Sequence, residues 1–150
     1  MYQPVFEIAT GRITSVEALA RWDQPSQGPI RPDLFISLPE ECGLIQTIGE
    51  HMLRQACQDT AGWRSDVRVA VNLSPMQFAP GNLVDIVRSA LAETGLAAGR
   101  LQLEVTEGLV IRDAKSTFLR LRQLRSMGIQ ILMDDFGAAI PRRAIFRPAL

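Results

Sequence analysis

The sequence predicts an α/β fold, built either as an α/β barrel or as an open α/β sheet. Strand-like and helix-like segments alternate through the second half of the chain, the order that gives parallel sheets flanked by helices. The strand-like runs are nearly continuous in apolar residues, as strands covered on both faces are. Several of them also stop at, or carry near their ends, a carboxylate or an amide. With 150 residues, 47% of them hydrophobic, the chain is long enough for one sizeable core and reads as one globular domain. Lys plus Arg and Asp plus Glu are both 16. Zero net charge gives no reason to expect a nucleic-acid polymer or a membrane surface as the main partner.

In chain order, Tyr2 to Ile8 alternates loosely and forms a hairpin with Ile13 to Trp22 across the Ala9–Arg12 turn cluster. Asp23 to Asp33, with Pro25, Gly28, Pro29 and Pro32, reads as a loop, and Asp33 to Glu41 as a short helix stopped by Gly43. From Leu44 to Trp63 the apolar residues Ile45, Ile48, Met52, Leu53, Ala56 and Cys57 recur at three and four, which makes an amphipathic helix. Val67 to Leu73 is a strand turned by Ser74-Pro75, and Leu83 to Thr94 a helix stopped by Gly95. Leu101 to Val105 is a strand, Ala114 to Met127 a helix stopped by Gly128, and Ile129 to Met133 the next strand. Cys42 and Cys57 fit no metal spacing and read as free thiols in a reducing compartment. His51 reads as structural or solvated. No apolar run reaches the length of a membrane span and no signal peptide is evident, so the expected location is the cytoplasm.

The polar outliers carry the chemistry. Glu17 lies mid-strand between Val16 and Ala18, Asn72 ends a β-branched run, Glu104 and Glu107 bracket Thr106, and Asp134-Asp135 close the run Gln130 to Met133. An ionised carboxylate without a partner is costly to bury, so such positions call for a cation or a cluster of donors. Each taken alone also reads as a turn former, Asp134-Asp135-Phe136-Gly137 as an Asp-rich turn. Together, Glu17, Asn72, Glu104 and Asp134 fall in or at the ends of four different strands. In a barrel those ends converge on one face. Three carboxylates and an amide oxygen are hard ligands suited to Mg²⁺ or Mn²⁺ rather than zinc.

Glu17-Ala18-Leu19, Tyr2-Gln3-Pro4, Arg21-Trp22, Asn72-Leu73-Ser74, Glu104-Val105-Thr106-Glu107 and Asp134-Asp135-Phe136-Gly137 occur in one collinear order. With these motifs the chain resembles the EAL-domain family of cyclic di-GMP phosphodiesterases over Tyr2 to Gly137. The segments Pro32 to Gly43, Leu53 to Cys57, Gln77-Phe78 and Leu91 to Leu96 are similar too. The resemblance implies a modified (β/α)8 barrel, of which this chain holds about the first five strands with their helices. It implies hydrolysis of one phosphodiester bond of cyclic di-GMP to the linear dinucleotide with two divalent metals, Mg²⁺ or Mn²⁺. Glu17, Asn72, Glu104, Asp134 and Asp135 would be the metal ligands and the catalytic centre. Gln3, Leu19 and Arg21 would touch the dinucleotide, and Glu107 would steady the loop that positions the paired aspartates.

The pattern departs after Gly137. Family members continue with Gly-Tyr-Ser-Ser, a Lys-Ile-Asp strand, a late glutamate and a Gln-Gly-Tyr-type segment, whereas this sequence reads AAIPRRAIFRPAL. Lys115, the single lysine, lies on a helix. Certain codons for Ala138 to Arg142, regrouped one base earlier, spell Gly-Tyr-Ser-Ser, so residues 138 to 150 are expected to be a frameshifted tail unrelated to the family. The N-terminus is also expected to be clipped. These features set three expectations against one another: an active phosphodiesterase, an inactive remnant that binds nucleotide or a protein, and a fragment without function. Exposed sheet edges would favour homo-oligomers.

Overall fold

The computed structural model describes residues 1–26, 28–30, 43–64, 66–77, 82–106, 114–134 and 144–145. β1 (Tyr2–Phe6) and β2 (Ile13–Ala18) form an antiparallel hairpin. β3 (Trp22–Gln24) and β4 (Gly28–Ile30) make a separate two-stranded ribbon. Then come α1 (Ile45–Ala61), β5 (Arg68–Leu73), a 3₁₀ turn (Pro75–Gln77), α2 (Leu83–Thr94), a second 3₁₀ turn (Ala98–Arg100), β6 (Leu101–Thr106), α3 (Ala114–Ser126), β7 (Gln130–Asp134) and β8 (Ala144–Ile145). The main sheet runs β1-β2-β5-β6-β7-β8, with β2, β5, β6 and β7 parallel and the outer pairs antiparallel. The arrangement is part of a (β/α)8 barrel; among the described residues it is open, with β1 and β8 as the outer strands.

Register sorts every parallel strand into two faces. Val16, Val69 and Leu101 lie across from one another, as do Ala18, Val71, Leu103 and Ile131, and these positions join one apolar cluster with Leu53, Cys57, Val87 and Leu124 of the helices. Alternation then puts Ser15, Glu17, Ala70, Asn72, Gln102, Glu104, Gln130 and Leu132 on the other face. That second face is mainly polar, yet Ser15, Ala70, Gln102, Glu104 and Leu132 on it are buried.

Several boundaries differ from the sequence reading. β1 stops at Phe6 because Glu7 N–H donates to Arg12 C=O at 2.9 Å and Gly11 takes a φ of 66°, closing the turn early. β2 stops at Ala18, after which Leu19 and Met1 exchange backbone bonds of 2.9 and 3.1 Å. Trp22 belongs to the ribbon instead. The supposed loop from Asp23 contains that ribbon, Pro29 facing Asp23 across it, since a strand that pairs on one side only tolerates proline. In the tail, expected to have no strand period, Ala144 and Ile145 pair with Met133 and Leu132; backbone pairing at a sheet edge needs no side-chain pattern. The expected helix Asp33 to Glu41 and Cys42 lie outside the described residues. No helix among the described residues is long and apolar enough to cross a membrane.

Polar contacts tie the layers together. Arg54 of α1 bridges Glu50 at 2.9 Å and Glu93 of α2, and Ser89 first, then Arg54, holds the Glu93 carboxyl below its ordinary range. Tyr2 donates to Asp59 Oδ2 at 2.6 Å and meets Trp63 edge to face, which fixes the hairpin on α1. The Arg100 guanidinium donates to the carbonyls of Val67, Thr60 and Arg64 at 2.9, 2.9 and 2.8 Å. It joins the end of α1 to the start of both β5 and β6. Arg100→Ala should lower the unfolding free energy by about 2 kcal/mol, the scale of hydrogen bonds to a charged group. Arg100→Lys should recover less than half, because an ammonium lacks the planar fork. Urea unfolding checks both, and an Ala variant as stable as the parent would remove Arg100 from this role.

Cys57 is a free thiol, fully buried, and burial pushes its pKa up to about 11. In the unfolded chain the thiol ionises first, near pH 8.5, so the folded state loses stability as pH rises from there through 11. Cys57→Ala should flatten that alkaline decline by roughly 3 kcal/mol, the linkage value of such a shift. Melting curves between pH 7 and 11 would read it, and parallel declines in parent and variant would disprove it.

Candidate functional site

The polar face of the sheet becomes a site at the C-terminal ends of its strands. Glu17 sits opposite Gln3 on one side and Ala70 on the other. Asn72 follows Ala70 by two positions on the same face, and its Nδ2 donates to Glu17 Oε1 at 2.9 Å. Glu104 lies directly across from Asn72 on β6 and is only 2% exposed. Asp134 closes β7 opposite Thr106, two steps beyond the Glu104–Leu132 pair, and is placed by backbone register.

Each position follows from local sequence. β5 and β6 are forced into one register by the apolar faces of Val69, Val71 and Leu73 against Leu101, Leu103 and Val105, and that register sets Asn72 beside Glu104. One layer deeper, Ser15 Oγ donates to Gln102 Oε1 at 2.7 Å and Gln102 Nε2 to Gln130 Oε1 at 2.7 Å, while Arg68 reaches Gln130 at 3.1 Å. This chain of hydrogen bonds spans β2, β6, β7 and β5. It gives the site a satisfied polar floor.

Asn72 uses its Nδ2 on Glu17, so Oδ1 is the amide atom left to act as a hard donor. Two carboxylates and an amide oxygen fit Mg²⁺ or Mn²⁺ by donor chemistry. Among the described residues no group of three or more His, Cys, Asp and Glu side chains lies together, in keeping with a described set of two carboxylates and one amide. Asp135 and Glu107 lie outside the described residues. Gln3 is exposed beside Glu17, Leu19 is held by Met1, and Arg21 is exposed with Nη1 donating to Ala20 C=O at 3.0 Å. His51 is exposed on α1, apart from these strand ends.

The family model described as the EAL domain matches residues 1–141. The chain belongs to the EAL domain family. It is 47% identical over 136 residues to an uncharacterized protein of Sinorhizobium fredii, covering 91% of this chain and 16% of that protein. It is 45% identical over 140 residues to the bifunctional diguanylate cyclase/cyclic di-GMP phosphodiesterase MucR of Pseudomonas aeruginosa, covering 91% of this chain and 20% of MucR. The structure of the MucR phosphodiesterase in complex with c-di-GMP superposes with a TM-score of 0.87 at 43% identity, covering 94% of this chain and 59% of that one. The EAL chain thus spans a fifth or less of these curated relatives and under two thirds of the solved domain.

Sequence reasoning assigned no role to Gln77, whose Oε1 accepts the Ser74 N–H at 2.9 Å directly after the Asn72 strand end. The Ser74-x-x-Gln77 spacing was the available signal. It also passed over the Ser15–Gln102–Gln130 floor, legible as polar residues in phase with Glu17 and Glu104.

The Glu17–Asn72 geometry makes a direct prediction. Asn72→Asp would set a second carboxylate about 2.9 Å from Glu17 Oε1, and like charges so close resist joint ionisation. One carboxyl of the pair then titrates higher in the folded state than unfolded, so stability is intact below about pH 4 and is lost as pH rises. The variant should fall on the order of 1–2 kcal/mol below the parent at pH 7, converge with it near pH 4, and regain most of the gap with 10 mM-scale Mg²⁺. Equal stability of variant and parent across that range would mean that the pair is not in contact.

Proposed function

We propose that the chain is the first part of an EAL phosphodiesterase site that takes cyclic di-GMP as substrate and Mg²⁺ or Mn²⁺ as cofactor. The observation that carries the reading is the Glu17–Asn72 hydrogen bond with Glu104 in register beside it, at strand ends where this fold builds its active sites. The c-di-GMP complex of MucR supports the ligand. In this reading Glu17, Asn72, Glu104, Asp134 and Asp135 hold the cations, and Glu107 steadies the Asp134-Asp135 loop. Gln3 and Leu19 line the dinucleotide, and Arg21 forks onto a phosphate.

A bound divalent cation supplies a water ionised near neutral pH and neutralises charge on the phosphoryl oxygens. The reaction adds water across one phosphodiester bond: the water oxygen bonds to phosphorus, the bridging ester oxygen leaves, and that oxygen takes the proton. Glu104, shielded from solvent, is the carboxylate best placed to hold a fixed geometry. These 150 residues cover 59% of the solved MucR domain. Binding without turnover is the proposed behaviour of these 150 residues taken alone; the departure from the family is proposed to start at residue 138, although the family match itself runs to residue 141. Ligand errors of about 1 Å already reduce rates on the order of a hundredfold. Self-association through the outer strands β1 and β8 and a cytoplasmic location, suited to the free Cys57 thiol, go with this reading.

Calorimetry with cyclic di-GMP and Mn²⁺, beside an assay for the linear dinucleotide, tests it. Binding that Glu104→Gln abolishes, with product only from a polypeptide carrying the family continuation, is the expected outcome. Comparable product from the 150-residue chain would overturn the claim of binding without turnover, and unchanged affinity in the Glu104 variant would remove that residue from the site.

A further inference from the structure

We infer that Gln77 is a positioning residue for Asn72 and that its seat is a notch cut into α1 at Gly49. The inference rests on reading Asn72 as a ligand for its consequence, but not for its geometry. β5 delivers Asn72 to the rim, and the chain must then stop and turn. Leu73, 3% exposed, anchors that end in the apolar core, while Asn72 itself is exposed and gains no packing of its own. Strand register and the bond to Glu17 aim Asn72, and the backbone just beyond it sets how firmly that aim is held.

Gln77 supplies that fixing twice. Its backbone N–H donates to Ser74 C=O at 3.0 Å, and its side-chain Oε1 accepts the Ser74 N–H at 2.9 Å. Both backbone groups of Ser74 are thus held from a single residue. The residue is 9% exposed, so the second bond is sheltered from competing water. A buried amide in that position needs room, and α1 provides it. A Cβ built on Gly49 would overlap the Gln77 side-chain amide, so only glycine leaves space for it there. Helix propensity argues for alanine at position 49 by about 1 kcal/mol. The glycine is explained by the notch.

A cavity of about 130 Å³, lined by Gln46, Glu50, Gln77, Asn82 and Ile86 among others, lies against the same side chain. It gives the Gln77 amide a second place to go. A displacement of α1 toward Gln77, or a methyl group at position 49, would tip the amide off Ser74 and into that space, loosening Asn72 while α1 and β5 stay folded. The position of α1 is thereby coupled to the direction of a rim donor on a neighbouring strand.

The test reads Asn72 directly, without metal. In ¹H–¹⁵N spectra of the metal-free chain, Gln77→Ala and Gly49→Ala should both shift the Asn72 side-chain amide pair and speed its exchange with water. Gln77→Glu, which keeps the acceptor oxygen, should leave the pair nearer the parent position. Mn²⁺ titration adds the consequence: each Ala variant should weaken affinity on the order of tenfold, as loss of a ligand's supporting contact does, and Gln77→Ala should add nothing in an Asn72→Ala background. If the parent chain binds no Mn²⁺, the ligand reading fails while the amide spectra still decide the positioning. Asn72 resonances unchanged in the Gly49 and Gln77 variants, or a further tenfold loss on top of Asn72→Ala, would overturn the inference. Should Gln77→Ala not fold, Gly49→Ala carries the same readout.

Discussion

The in-register parallel pairing of β2, β5, β6 and β7 is the constraint on which the rest of this structure depends. Period-two alternation fixes two faces at once: Val16, Val69, Leu101 and their neighbours go to the helices, and Glu17, Asn72, Gln102 and Glu104 go opposite. A slip of one residue in any of these strands would drive the carboxylates into the helix layer and the valines onto the polar face. The core and the candidate site are therefore specified by the same contacts. Burial of the apolar face holds the register, and the register holds the donors.

The helix layer is tied down by charges kept away from that polar face. Arg54 joins α1 to α2 through Glu50, Glu93 and Ser89, and Arg100 gathers three carbonyls where α1, β5 and β6 come together. Tyr2 carries the hairpin to Asp59. These contacts position the helices against the sheet from outside, so the polar face can keep a composition that contributes little to stability. Gln77, bonded to Ser74 beyond β5 and seated against Gly49 of α1, connects the two sides.

What the sequence revealed follows from how each element is stabilised. α2 was legible as Leu83 to Thr94, and β5 and β6 to within one residue at each end, because buried strands and amphipathic helices write their packing into apolar spacing. The strand-end positions of Glu17, Asn72, Glu104 and Asp134 were legible because polar residues break such runs. The β3–β4 ribbon was not, since Pro25, Gly28 and Pro29 speak for a turn and the pairing Asp23 to Pro29 leaves no apolar pattern. Nor was β8, a two-residue strand placed by backbone pairing with β7. The fit of Gln77 over Gly49 joins residues on different elements and depends on a shape that no periodicity encodes. The family motifs carried the rest.

Glu17 has a second consequence, in the order in which the chain is made. Its strand lies one short turn from β1 in the chain, but its other neighbour, β5, begins at Arg68 opposite Ser15. At about 5–20 residues per second of synthesis, the free side of β2 waits roughly 3–10 s for its partner, exposing Val16 and Ala18 in an unpaired edge. Edges of that kind recruit strands from other chains, and an inward charge is one of the devices that discourages them. A glutamate in the middle of that edge meets a like charge in any second copy paired in register, so the residue that serves the site also disfavours edge-to-edge pairing before β5 is made.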